Sequence, residues 1–212
     1  MQLQSYLQNT RLSFDRMSSE KIEKYIKKAF PEHWFDYARE LKDASMELWQ
    51  SHKNVYIAYS TYEEGDFFRK LYSRTYFLLM GLAIENLLKG ILISENPEYI
   101  LDGKIDKEIS SGHNLEALLK KVGSINFMDR EIEICRTLSQ LIPYWGKYPI
   151  PKNFSMLKNE LFMTEEWFEE LLKLYTKLEF KLCELNINGI KGPNNIDFPR
   201  LFVEGVSDKV KI

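Results

Sequence analysis

The sequence predicts an all-α fold, a helical bundle, and three observations carry that expectation. Apolar residues recur at three- and four-residue spacings through most of the chain, and prolines and glycines fall between those stretches. One stretch, Tyr76 to Ile93 (YFLLMGLAIENLLKGILI), is apolar on nearly every side, as a helix surrounded by other helices must be. With 212 residues, 44% of them hydrophobic and 14% aromatic, the chain is long enough to bury one substantial core. No repeat, low-complexity segment or shift in composition divides it, so residues 1–212 are expected to form a single domain.

The elements follow from the punctuation. Ser18 and Ser19 stand before EKIEKYIKKAF, whose Glu20 and Glu23 suit the positive end of a helix that Pro31 terminates. Pro31 then opens a second helix. There Trp34, Tyr37, Ala38, Leu41, Ala44, Ser45 and Leu48 mark one amphipathic face. VYIAYSTY has the aromatic and β-branched density of a strand but stands alone, so a short strand or an extended connection is expected. The central helix is predicted from near Asp66 to just before Pro97.

A Gly- and Ser-containing loop over Asp102 to Gly112 leads to a short helix with Asn114 or a neighbour as cap and Gly123 as stop. Asp129 to Leu141 carries another helical face. The prolines and glycine of PYWGKYPIP, Pro143 to Pro151, predict a rigid loop after it. Thr164 caps the last strong helix, TEEWFEELLKLYTKLEFKLCELN, and residues 187–212 read as an extended C-terminal tail that crosses to a partner, packs over the bundle or stays mobile.

Charge and cysteine content exclude several classes of function. A net charge of −2 supplies no molecule-wide basic field of the kind that captures DNA without sequence preference. Cys135 and Cys183 each sit in an apolar helical pattern, without the second cysteine or nearby histidine that zinc requires, and read as buried thiols in a reducing compartment. No metal site and no cofactor is expected. The opening MQLQSYLQNTRLSF lacks the basic start, apolar run and cleavage site of a signal peptide, which points to the cytoplasm. Tyr76 to Ile93 approaches the length of a membrane span, yet Glu85 and Lys89 at its centre would be costly in lipid. No membrane association is expected.

Three blocks carry a family resemblance. An apolar helix with IENLLKG, a loop ending in GHNLEALLKKVG, and an acidic-apolar helix ending in WGKYPIP resemble, in order and approximate spacing over Phe67 to Pro151, the HEPN superfamily. The resemblance implies an up-and-down bundle with its HEPN-like core at about residues 66–186, additional helices before it and the irregular tail after it. It further implies a homodimer, a place in prokaryotic toxin-antitoxin or phage-defence systems, and, for a large group of members, metal-independent ribonuclease activity. HEPN ribonucleases typically carry Arg, four to six residues, then His. None of His33, His52 and His113 has an arginine at that distance before it, so the ribonuclease signature is missing.

The candidate site is a polar stripe on the central helix and the two loops that face it. At 100° per residue, Arg74, Leu78, Gly81, Glu85 and Lys89 fall in a sector of roughly 80°. Two readings fit. Glu85 accepts hydrogen bonds from His113, from the amides near Gly112 to Leu115 or from Lys147 and so pins loops to the bundle, or the stripe walls a cleft for RNA or another ligand. His113 is the candidate catalytic residue, because imidazole titrates close to neutrality and can act as acid and base. Lys147 and Tyr148, between a glycine and a proline, suit recognition of a phosphate or a stacked base, or fold over the end of the bundle. The expected function is a HEPN-like binding or interaction protein that contacts RNA or a cognate partner. The alternative is a divergent ribonuclease or nucleotide-acting enzyme using His113 and Lys147.

Overall fold

The computed structural model describes residues 19–63, 65–70, 72–110, 112–145, 153, 155 and 163–203. It is a mostly helical bundle, as the periodicity predicts, with one small β-hairpin. Helix α1 covers 19–28. Helix α2 spans Pro31–His52, with Pro31 in the first turn, where its missing N–H costs nothing. Its buried face is Phe35, Ala38, Leu41, Ser45 and Trp49, which corrects the predicted one: Ala38, Leu41 and Ser45 are buried as expected, whereas Tyr37, 52% exposed, and Ala44 face outward, because the stripe that meets the core is rotated toward Phe35 and Trp49.

Strands β1 (Tyr56–Thr61) and β2 (Gly65–Lys70) pair antiparallel, from Tyr56 opposite Lys70 to Thr61 opposite Gly65. This corrects the sequence reading twice: VYIAYSTY does not stand alone, and Asp66 lies in a strand instead of starting the central helix. Gly65 adopts a φ of +73°, which a three-residue hairpin loop needs at its exit and which glycine supplies without steric cost. Pairing then uses the backbone groups of 65–70, and the neighbour overrides a weak local preference.

Helix α3, Ser73–Glu95, is the spine. It packs against α2 and three later helices: α5 (Leu115–Lys121), α6 (Asp129–Trp145) and α7 (Glu165–Asn186). Phe77, Met80, Ile84, Leu87, Leu88 and Ile91 are fully buried in consequence. Burying side chains of this size removes roughly 1.5–3 kcal/mol of unfavourable hydration each, which makes α3 the centre of the core. Two glycines permit its close approaches. A Cβ on Gly81 would lie 2.8 Å from Cδ1 of Ile142 on α6, and one on Gly90 would lie 3.0 Å from Cδ2 of Leu182 on α7. By length and composition α3 is also apolar enough to cross a membrane, but 67% of its apolar window is buried within the protein.

Between α3 and α5 come a 3-10 segment, Pro97–Gly103, which begins before the loop predicted over Asp102 to Gly112, and the short helix α4, Lys107–Ser110, which lies within that loop and corrects it. Asn114 caps α5, accepting from the Ala117 N–H at 3.0 Å. Glu95, at the end of α3, accepts from the N–H groups of Gly123 at 3.0 Å and Ser124 at 2.8 Å, which fixes the exit of α5. Helix α6 runs on through Pro143 to Trp145, a correction to the predicted loop start. So close to the helix end, the ring removes only one late backbone bond.

Thr164 caps α7 as predicted, accepting from the Trp167 N–H at 3.2 Å. Trp49 of α2 stacks on Phe168 of α7 with centroids 4.6 Å apart, and Tyr76 of α3 leans against both rings. The tail resolves one of its three alternatives through residue 203: it packs over the bundle. Leu201 N–H donates to Asn186 O, and the Phe198 ring, 3% exposed, meets Phe30 at 4.7 Å.

Candidate functional site

Glu85 sits halfway along α3 and is 3% exposed. A carboxylate at that depth is stable only if charge or hydrogen bonds answer both of its oxygens. They do. Lys89, one turn on, donates from Nζ to Oε1 at 2.6 Å, and the ring of His113 meets Oε2 through Nδ1 at 2.8 Å. The Lys89 ammonium also lies 5.8 Å from the ring centroid of Trp34 on α2. One buried acid therefore joins α2, α3 and the loop before α5.

The loop is held on both sides of that contact. Gly112 has a φ of +75°, which turns the chain toward α3, and Leu115, fully buried, anchors the start of α5 just after His113. Toward an ionised carboxylate, which only accepts, Nδ1 of His113 is the donor. The imidazole side chain is 46% exposed, with Nε2 on the edge away from Glu85. The arrangement can orient an imidazole; it does not by itself enclose a substrate.

The structure brings three of the predicted residues together: Glu85, Lys89 and His113. Arg74 is not among them. It occupies the first turn of α3, eleven residues before Glu85 and hence about 16 Å away along the axis. Gly81, on the same stripe, faces Ile142 and Leu138 and serves packing. Lys147 and Tyr148 lie outside the described residues, and so does their convergence on Glu85.

A recess does open, but at the other end of α3. It is lined by Leu48, Trp49, His52, Lys53, Tyr72, Ser73, Tyr76 and Met163, and with a volume of about 10 Å³ it has room for about one water molecule. None of Glu85, Lys89 and His113 borders it. Among the described residues, no group of three or more His, Cys, Asp or Glu side chains is placed to hold a metal ion.

Three further carboxylates escape a reading based on periodicity alone. Glu131 is 7% exposed, accepts from Lys177 Nζ of α7 at 2.9 and 2.7 Å, and takes the Met128 N–H at 2.8 Å at the start of its own helix. Its position three residues beyond Met128, where a capping glutamate belongs, was the available signal. Glu170 on α7 receives Nε and Nη2 of Arg130 in a forked contact, tying α6 to α7. Glu116 receives Nε and Nη2 of Arg136 at 3.0 Å each and Lys120 at 2.8 Å, and these bonds hold its carboxyl down to about 2. Arg130 also reaches Glu133 one turn on in its own helix at 2.8 Å, a pair that spacing suggests, but nothing in the spacing of Arg130, Arg136 and Lys177 names their partners on other helices.

Cys135 and Cys183 are both buried and neither is in a disulfide, and burial, with Glu131 and Glu116 nearby, pushes the Cys135 thiol up to about 12. Such a thiol is not a nucleophile at neutral pH. Comparison of the chain with family models, with curated proteins and with solved structures finds no match.

Proposed function

We propose that this chain is a HEPN-like helical binding and interaction protein, a cytoplasmic component of a prokaryotic defence or toxin-antitoxin system that contacts RNA or a cognate partner and acts as a homodimer. The defence setting, the dimer and the superfamily rest on the resemblance of IENLLKG, GHNLEALLKKVG and WGKYPIP. The non-enzymatic reading rests on one observation: both oxygens of the buried Glu85 carboxylate are engaged, by Lys89 and His113. A carboxylate so occupied fastens a loop to a helix; it is not free to take a proton from a substrate.

A second reading, a divergent ribonuclease or nucleotide-acting enzyme, draws support from the half-exposed His113 side chain, whose Nδ1 is held by a carboxylate. A carboxylate behind an imidazole fixes its tautomer and orientation, as general-base pairs require. Incubating the purified chain and its His113→Ala variant with total cellular RNA separates the two readings. The interaction reading expects no cleavage by either protein. Cleavage by the wild type that vanishes in His113→Ala selects the enzyme.

A further inference from the structure

We propose that the recess between the end of α2 and the start of α3 binds a single-atom monovalent anion of the halide class, held by Nδ1 of His52 and the hydroxyl of Tyr76. None of Glu85, Lys89 and His113 borders the recess, so the site is independent of the role that cluster plays.

Two polar atoms of the lining residues are closed to solvent and make no hydrogen bond: Nδ1 of His52, in the last turn of α2, and the hydroxyl of Tyr76, in the first turn of α3. A buried polar atom without a partner costs about as much as a lost hydrogen bond, so two of them beside one recess point to an occupant. Tyr76 is only 2% exposed and cannot turn its hydroxyl to water. Ser45 bears on Tyr76 from α2, but its own hydroxyl donates to Lys42 O at 2.6 Å and makes no bond to the phenol. The ring of Tyr72, whose backbone holds a φ of +59° that few residues other than glycine adopt, stands edge-on to His52 at 4.4 Å.

The size and sign of the occupant follow from the walls. A volume of about 10 Å³ takes one small species, and a halide ion, little larger than a water molecule, is the anion that fits. Among the described lining residues the polar ones are His52, Lys53, Tyr72, Ser73 and Tyr76; each can donate and none is an acid. Helix α3 opens here with its positive end, and its first turn holds no acidic residue. The carbonyls of Trp49 and His52 at the end of α2, which would repel an anion, accept from the N–H groups of Lys53 at 2.9 Å and Val55 at 3.0 Å. Leu48, Trp49 and Met163 add apolar surface, beside which a hydrogen bond to a charge gains strength. The hairpin leaves α2 and enters α3 at the two ends that the ion joins, so occupancy fixes the base of the hairpin.

The test is thermal unfolding of the intact chain in sodium chloride exchanged for sodium gluconate at constant ionic strength, for wild type, Tyr76→Phe and His52→Phe. Gluconate is too large for the recess. The wild type is expected to gain melting temperature with chloride along a saturating curve, because an ion bound only by the folded chain stabilises it. Each variant keeps a ring and loses one hydrogen bond to the ion, so chloride binding is expected to weaken about tenfold or more. Equal stability of the wild type in chloride and gluconate overturns the anion site and leaves water as the occupant. A chloride effect that both variants retain in full also overturns it, by placing the ion elsewhere. Chlorine NMR of the wild type gives a readout that needs no variant to fold: line broadening that bromide competes away is expected, and its absence overturns the site.

Discussion

Nδ1 of His113 lies 2.8 Å from Oε2 of Glu85, across 28 residues of chain, while Lys89 occupies the other carboxylate oxygen at 2.6 Å. The Lys89 side chain is only 12% exposed, so removing its partner strands an ammonium among apolar neighbours. Glu85→Ala is expected to cost about 3–5 kcal/mol in urea unfolding, the range for breaking a buried pair from one side. A loss under about 1 kcal/mol would show that the pair is solvated and holds nothing.

Glu116 makes acid stability readable. Its folded carboxyl is held at about 2 against an ordinary value of 4.5, first by Arg136 and then by Lys120. Because the folded value is the lower one, this contribution is complete above about 4.5 and disappears as the pH falls toward 2. Thermal unfolding of wild type and Glu116→Gln should therefore differ by a constant amount from neutral pH down to about 5. The gap should close between about 4.5 and 2. A gap that persists unchanged at pH 2 assigns the effect to shape instead of charge.

The thiols give a probe of global opening. Cys135 and Cys183 are fully buried, and the Cys135 thiol is pushed up to about 12. Neither should react with iodoacetamide at pH 8 in the native protein, and both should react once urea unfolds it. Prompt native labelling of either would place that helix face in contact with water.

Two glycines should respond in opposite ways to the same substitution. Gly81→Ala drives a methyl to within 2.8 Å of Ile142 and should cost about 1–3 kcal/mol by overpacking. At Gly123 an added Cβ meets only Glu95 Oε2, at 4.0 Å. Gly123→Ala should be neutral or stabilise by up to about 1 kcal/mol through the unfolded chain. Equal effects at the two sites would deny that α3 and α6 approach closely at Gly81.

What could be read from the sequence was what repeats along it. The apolar surround of Glu85 and the caps at Asn114 and Thr164 follow from spacing within one element, and the face of α2 does so at Ala38, Leu41 and Ser45 but not at Tyr37 or Ala44. The possibility that Glu85 takes His113 was open because a buried carboxylate needs a partner and few candidates stood near. The hairpin was missed although Gly65, four residues beyond Thr61, marks a three-residue loop; an aromatic strand with no obvious mate hid the turn. Pro143 looked like a stop and is a late helical residue instead. Ion pairs between helices, such as Arg130 with Glu170 and Lys177 with Glu131, leave no local trace, since distance in space and not in sequence selects the partner.

The central claim is that Glu85 and His113 act as one clamp fastening the start of α5 to α3. A double-mutant cycle in urea, with Glu85→Ala, His113→Ala and the combination, measures that clamp directly. An interaction energy of about 0.5–3 kcal/mol is expected, with the second substitution costing less once the first is made. Losses that simply add, to within about 0.3 kcal/mol, would contradict it.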